Sequence, residues 1–86
     1  MKEVKLFLME TCPHCKKALA LMEEILAAHP EYKAVEVKKI DETKEADYAA
    51  TFDYYYVPTF YVGDEKIHEG VPSREAIEKV YAAALA

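Results

Sequence analysis

Val4-Lys5-Leu6-Phe7-Leu8-Met9-Glu10-Thr11-Cys12-Pro13-His14-Cys15 is the stretch on which the fold of this chain turns. An apolar segment, Val4 to Met9, runs into two cysteines three positions apart, and a helical pattern from Lys16 to Ala28 follows them. The chain has no other cysteine. That order puts Cys12 where a strand ends and a helix begins. The first backbone N–H groups of a helix have no internal partner, and the helix macrodipole puts partial positive charge at the same end. Both favour thiolate over thiol, so Cys12 is expected to be the acidic, nucleophilic sulfur. Pro13 suits the first helical turn, because its φ is preset and its missing N–H costs nothing there. Cys15 falls one turn further on, on the same face. Its Cα is expected about 5–6 Å from that of Cys12, within the range of a disulfide. The pair can then cycle between dithiol and disulfide with little backbone movement.

The flanking segments complete an alternation of strands and helices. Val4 to Met9 reads as a central strand with helices on both faces. Thr11 is the expected N-cap of the first helix. Cys15, Ala18, Leu19, Met22, Ile25 and Leu26 form its apolar face, and His29-Pro30 ends it. A second strand is predicted over Tyr32 to Ile40, with Val35 and Val37 alternating against Glu36 and Lys38. A short helix is predicted over Lys44 to Phe52, with Tyr48, Ala49 and Phe52 on one side. A tyrosine-rich loop, Asp53 to Val57, leads to Pro58 and a third strand, Thr59 to Val62. Gly63-Asp64-Glu65 forms a hairpin turn, and Lys66 to Glu69 is the fourth strand. Ser73 caps a last helix, whose inner face is Ile77, Val80, Tyr81, Ala84 and Leu85. The expected fold is α/β, a four-stranded mixed sheet in the order βαβ–αββα with three helices on its two faces. The first two strands pair in parallel through a right-handed crossover.

Length and composition narrow the function. Eighty-six residues make one domain, 1–86, with a modest core. Hydrophobic residues are 52% and charged residues 31%, an ordinary globular balance. A net charge of −5 gives nucleic acid no electrostatic purchase. No apolar run approaches the roughly 18 residues of a membrane span, and Leu6 to Met9 is too short for a signal-peptide core. A soluble cytoplasmic protein, monomeric and without a membrane partner, is expected. In a reducing compartment a CxxC pair is more often catalytic or metal-binding than a structural staple.

The Cys12-Pro13-His14-Cys15 motif is joined, about 45 residues on, by Val57-Pro58-Thr59 just before a strand. With the Gly70 to Ser73 entry into the last helix, these motifs make nearly the whole chain resemble the thioredoxin superfamily. Its length and minimal element order look most like a glutaredoxin. The resemblance implies a thiol–disulfide oxidoreductase that works through a Cys12–Cys15 couple, without a tightly bound cofactor. Cys12 would attack and Cys15 resolve. It also implies a cis Pro58 against the active-site cysteines, with the Val57 backbone offered to an extended peptide or to glutathione. Thr11, Tyr56, Val57, Pro58, Thr59 and Gly70 are the expected substrate-binding residues. Pro13 and His14 are the expected tuning residues, since a protonated His14 would favour the Cys12 thiolate. Disulfide-containing proteins would be the substrates, with a flavoprotein reductase or glutathione as electron donor.

Other readings stand beside these. Glutathione-using members usually carry a Lys three residues before the first cysteine, where this chain has Met9, and a Gly-Gly pair before the last helix, where it has Glu69-Gly70-Val71. Both departures weigh against glutathione. The first strand offers only Lys5 where many thioredoxins keep a buried acid, so no proton acceptor is expected there. Glu3, Glu23, Glu24, Glu42 and Glu45 read as solvated surface, as do Lys16 and Lys17 unless they meet a ligand. His14 reads alternatively as a solvated helix-turn residue. The three tyrosines either pack their loop or wall a groove beside Pro58. Gly70 is a bulge or a point of close backbone approach. The alternative function is a metal-binding module of copper-chaperone type, which also sets CxxC between a strand and a helix and uses thiolates for Cu(I). Such modules run βαββαβ and lack a counterpart of Val57-Pro58-Thr59.

Overall fold

A computed structural model describes residues 1–86. The strands are β1 (Val4–Leu8), β2 (Val37–Asp41), β3 (Thr59–Val62) and β4 (Glu65–Glu69). The helices are α1 (Pro13–Ala28), α2 (Ala46–Ala49) and α3 (Arg74–Leu85), with a 3-10 turn over Pro30–Ala34. The sheet order is β2-β1-β3-β4, so β1 is central as its apolar run predicts. β1 runs parallel to β2, with Val4 opposite Val37 and Leu8 opposite Asp41. It runs antiparallel to β3, which forms a hairpin with β4.

Alternation along the strands divides the core in two. Val4 and Leu6 of β1 face the same way as Phe60 and Val62 of β3, and α1 and α3 cover them. Ala18, Met22 and Ile25 come from α1, and Ile77, Val80, Tyr81 and Ala84 from α3. On the other face Phe7, Ile40 and Tyr61 pack against Ala49 of α2, with Phe52, Tyr54 and Val57 around them. The first cluster has twelve buried residues and the second four. At about 1.5–3 kcal/mol per fully buried large apolar side chain, most of the hydrophobic stabilisation lies on the α1/α3 face.

Several local expectations are corrected. The second strand begins at Val37, because Pro30 starts a 3-10 turn that takes in Tyr32. Tyr32 leaves the sheet and stacks on Tyr81 of α3, ring centres 5.2 Å apart. The middle helix shrinks from Lys44–Phe52 to Ala46–Ala49. So short a helix owes little to propensity; buried Ala49 and half-buried Phe52 hold it down, while Tyr48 is exposed. Cys12, in extended conformation, is the N-cap of α1 and makes no side-chain cap bond; Thr11 is exposed and is not the cap. Ser73 does cap α3, its hydroxyl accepting from the Ala76 N–H at 3.1 Å. Leu85 points outward, past the last buried turn at Ala84. The β3–β4 hairpin carries a bulge: Phe60 pairs with His68 and Tyr61 with Lys66, which leaves Ile67 as the extra residue. The bulge is therefore at Ile67, three residues before Gly70.

Candidate active site

The β1–α1 junction brings the two thiols to one end of the sheet, and both are free. Cys12 sits at the tip, partly exposed, while Cys15 is 2% exposed on the inner face of α1. Their chemistry diverges accordingly. Burial pulls the Cys12 pKa up, but the Cys15 amide, the Cys15 thiol and the His14 amide all donate to its sulfur, and the net shift is downward. Cys15 is pushed up to about 11, first by burial, against the Met9 N–H that donates to its sulfur at 3.4 Å. It is the backbone N–H of His14 that acts on Cys12, as expected of a group in the first turn of a helix. The imidazole itself is exposed.

Across from the thiols lies the loop before β3. The Val57–Pro58 peptide bond is cis, and the Cys12 thiol donates to the Val57 carbonyl at 3.9 Å. Pro58 is buried beneath this edge. A groove of about 320 Å³ opens beside it, lined by His14, Tyr56, Val57, Gly70 and Val71. Tyr56 and Val71 are 69% and 64% exposed. Gly70 has φ +93°, a conformation that L side chains rarely adopt, and its N–H donates to the Pro58 carbonyl at 2.9 Å. A Cβ there would meet nothing within 4 Å, so conformation rather than space requires the glycine.

Three of the expected site residues, Thr11, Pro58 and Thr59, do not line this groove. Thr59 is fully buried; its hydroxyl donates to the Tyr56 carbonyl and so shapes the edge from below. Thr11 is exposed and does not line the groove. The three tyrosines separate by role. Tyr54 packs on Phe7, ring centres 4.9 Å apart. Tyr55 is solvated, and Tyr56 walls the groove.

Glu42 is not the plain surface residue that the sequence suggests. Its N–H donates to the Leu8 carbonyl at 3.0 Å, which ties it to the last residue of β1. Its carboxylate accepts from the Tyr54 hydroxyl at 2.6 Å. Its charge raises the pKa of both Cys12 and Cys15, though in each case it is the smallest of the causes. Sequence carries no signal for this placement, which depends on β2 lying in parallel beside β1.

A CxxC pair at the start of a helix, facing the loop before a strand across a mixed four-stranded sheet, is the arrangement of a thiol–disulfide oxidoreductase of thioredoxin fold. The chain belongs to the thioredoxin family, whose thioredoxin domain matches residues 2–82. It is 31% identical over 75 residues to a thioredoxin of Methanocaldococcus jannaschii, covering 87% of this chain and 86% of that one. Its structure is similar to that of mitochondrial thioredoxin 3 of Saccharomyces cerevisiae in the oxidised form. That match has TM-score 0.72 and 25% identity over 95% of this chain and 77% of the other. The oxidised thioredoxin of Plasmodium falciparum has the same fold, with TM-score 0.72 and 20% identity over 96% of this chain and 80% of that one. The family match and the order β-α-β-α-β-β-α, with β3 and β4 paired as a hairpin, do not favour the copper-chaperone alternative.

Proposed function

We propose that this chain reduces disulfides in proteins, with Cys12 as attacking thiolate and Cys15 as resolving thiol. The observation that supports this most directly is the opposite shift of the two thiols, down at the exposed tip and up at the buried turn. The Cys12 thiolate attacks one sulfur of a substrate disulfide, forming a mixed disulfide and expelling a thiolate that takes up a proton. Cys15 then loses its proton and attacks the Cys12 sulfur, releasing the second substrate thiol. The products are a Cys12–Cys15 disulfide and two substrate thiols. Two electrons and two protons from a donor regenerate the dithiol.

The curated relative is a thioredoxin, which favours a flavoprotein reductase as donor. Met9, where glutathione users carry a Lys, and the acidic Glu10 beside it disfavour glutathione. The working group is the cysteine couple alone, with no tightly bound cofactor. The chain acts as a monomeric single domain in the cytoplasm, without nucleic acid or membrane as partner. No helix is long and apolar enough to cross a membrane.

Insulin-disulfide reduction with dithiothreitol as electron source tests the mechanism. Cys12→Ser abolishes turnover, while Cys15→Ser accumulates a mixed disulfide visible by mass. Retained turnover in Cys12→Ser would sink the assignment. A redox titration read by thiol alkylation is expected to give a two-electron transition between about −200 and −270 mV, the range of reducing members. Adding thioredoxin reductase with NADPH, or glutathione with its reductase, then identifies the donor.

A further inference from the structure

We propose that Glu69 is a positioning residue for substrate binding: its carboxylate clamps the loop before Pro58 so that the Val57 N–H and carbonyl, beside Cys12, are held ready for an incoming chain. This rests on the protein-disulfide reductase reading above. One carboxylate oxygen of Glu69 accepts from the backbone N–H groups of both Tyr55 and Tyr56, the latter at 2.9 Å. The other oxygen accepts from Lys66 Nζ at 2.7 Å. Lys66 also donates to the Asp53 carbonyl at 3.3 Å, and the Tyr61 hydroxyl donates to the same carbonyl at 2.7 Å.

The bulge at Ile67 makes this possible. In a regular strand, residues three apart point to opposite faces. Here Lys66 lies opposite Tyr61 and Glu69 opposite Thr59, so the extra residue returns both to one face. There they form an ion pair under the loop.

Most backbone groups on either side of Val57 are thereby paired. The N–H groups of Tyr55 and Tyr56 go to Glu69, the Tyr56 carbonyl to Thr59, and the Pro58 carbonyl to Gly70. Val57 remains. Its N–H donates to nothing in the protein, and its carbonyl accepts only from Cys12 at 3.9 Å. The clamp thus leaves both backbone groups of Val57, next to the nucleophile, with hydrogen-bonding capacity for a second chain. Lys66, with the two amides, holds the Glu69 carboxyl down at about 2, so the clamp is charged and intact throughout the neutral range.

The test is steady-state insulin reduction by the wild type, Glu69→Ala and Glu69→Gln, with amide exchange of Tyr55 and Tyr56 followed by NMR. Glutamine keeps an oxygen that can accept from both amides; alanine keeps none. In Glu69→Ala the KM should rise about fivefold with kcat within about twofold, the pattern of lost binding rather than lost chemistry. Glu69→Gln should restore the KM to within about twofold of wild type. The Tyr55 and Tyr56 amides should be protected in wild type and exposed in Glu69→Ala. An unchanged KM in Glu69→Ala, equal damage in both variants, or unprotected amides in wild type would each overturn the clamp. A wild type that reduces no insulin disulfide would instead overturn the functional reading on which it rests.

Discussion

The Cys12 sulfur and the Val57 carbonyl lie 3.9 Å apart across 45 residues of sequence. Neither group reaches the other through local structure. β1 delivers the cysteine and β3 the loop before it, and their antiparallel pairing, Leu6 opposite Phe60 and Phe7 opposite Thr59, brings the two together. The Val57 N–H has no partner in the protein and its carbonyl accepts only from Cys12, so both groups stay open beside the sulfur.

The thiols should titrate apart. Alkylation of the reduced protein between about pH 5 and about pH 10, read by mass, should label Cys12 alone over most of the range. Cys15, with a folded value of about 11, should stay unlabelled until the alkaline end. The linked stability has a defined sign. A thiol raised above its ordinary 9.0 on folding contributes fully below that pH, and the contribution is lost as pH rises through about 11. Reduced wild type should lose thermal stability across that interval more steeply than Cys15→Ala. Equal titration of the two thiols would contradict the assigned roles.

Glu42→Gln removes a negative charge that raises both thiols. Both should become more acidic, and Cys12 should be alkylated faster below neutrality. The fold should be retained, because the N–H that Glu42 donates to Leu8 belongs to the backbone. An unchanged alkylation profile would show that the carboxylate is screened from the sulfurs.

Glu69 gives a stability change at the acid end. Its carboxyl lies well below its ordinary 4.5, at about 2, because of Lys66 and the two loop amides. A depressed carboxyl contributes fully above the ordinary value and loses that contribution as pH falls through the folded one. Between 4.5 and about 2, wild type should lose stability more steeply than Glu69→Gln. Parallel melting curves in that window would contradict the shift.

Two hydroxyl residues before helices should behave oppositely. Ser73→Ala removes the hydroxyl that accepts from Ala76, and should cost about 1 kcal/mol, within the usual span of about 0.5–2. Thr11→Ala removes an exposed side chain that caps nothing and should stay within about 0.5 kcal/mol of wild type. Denaturant melts of both variants measure the difference directly.

Sequence alone determined the element order, the central position of β1, the cysteine pair at a helix start, and the inner faces of α1 and α3. Each of these is written in local periodicity or in the chemistry of adjacent residues. The acidity of Cys12 was legible for the same reason, since its donors are amides two and three residues away. Tertiary structure decided the rest. The 3-10 turn at Pro30 withdraws Tyr32 from the sheet to stack on Tyr81, a contact no local pattern specifies. The charge of Glu42 is felt at the thiols only because β2 pairs in parallel with β1 and ends beside Leu8. Glu69 reaches the substrate loop only because one extra residue, Ile67, turns β4 so that it faces the same side as Lys66. A periodic pattern reports which face a residue takes along its own element. Which residue of another element meets it depends on strand register and on bulges, and those are settled when the two sheet faces pack.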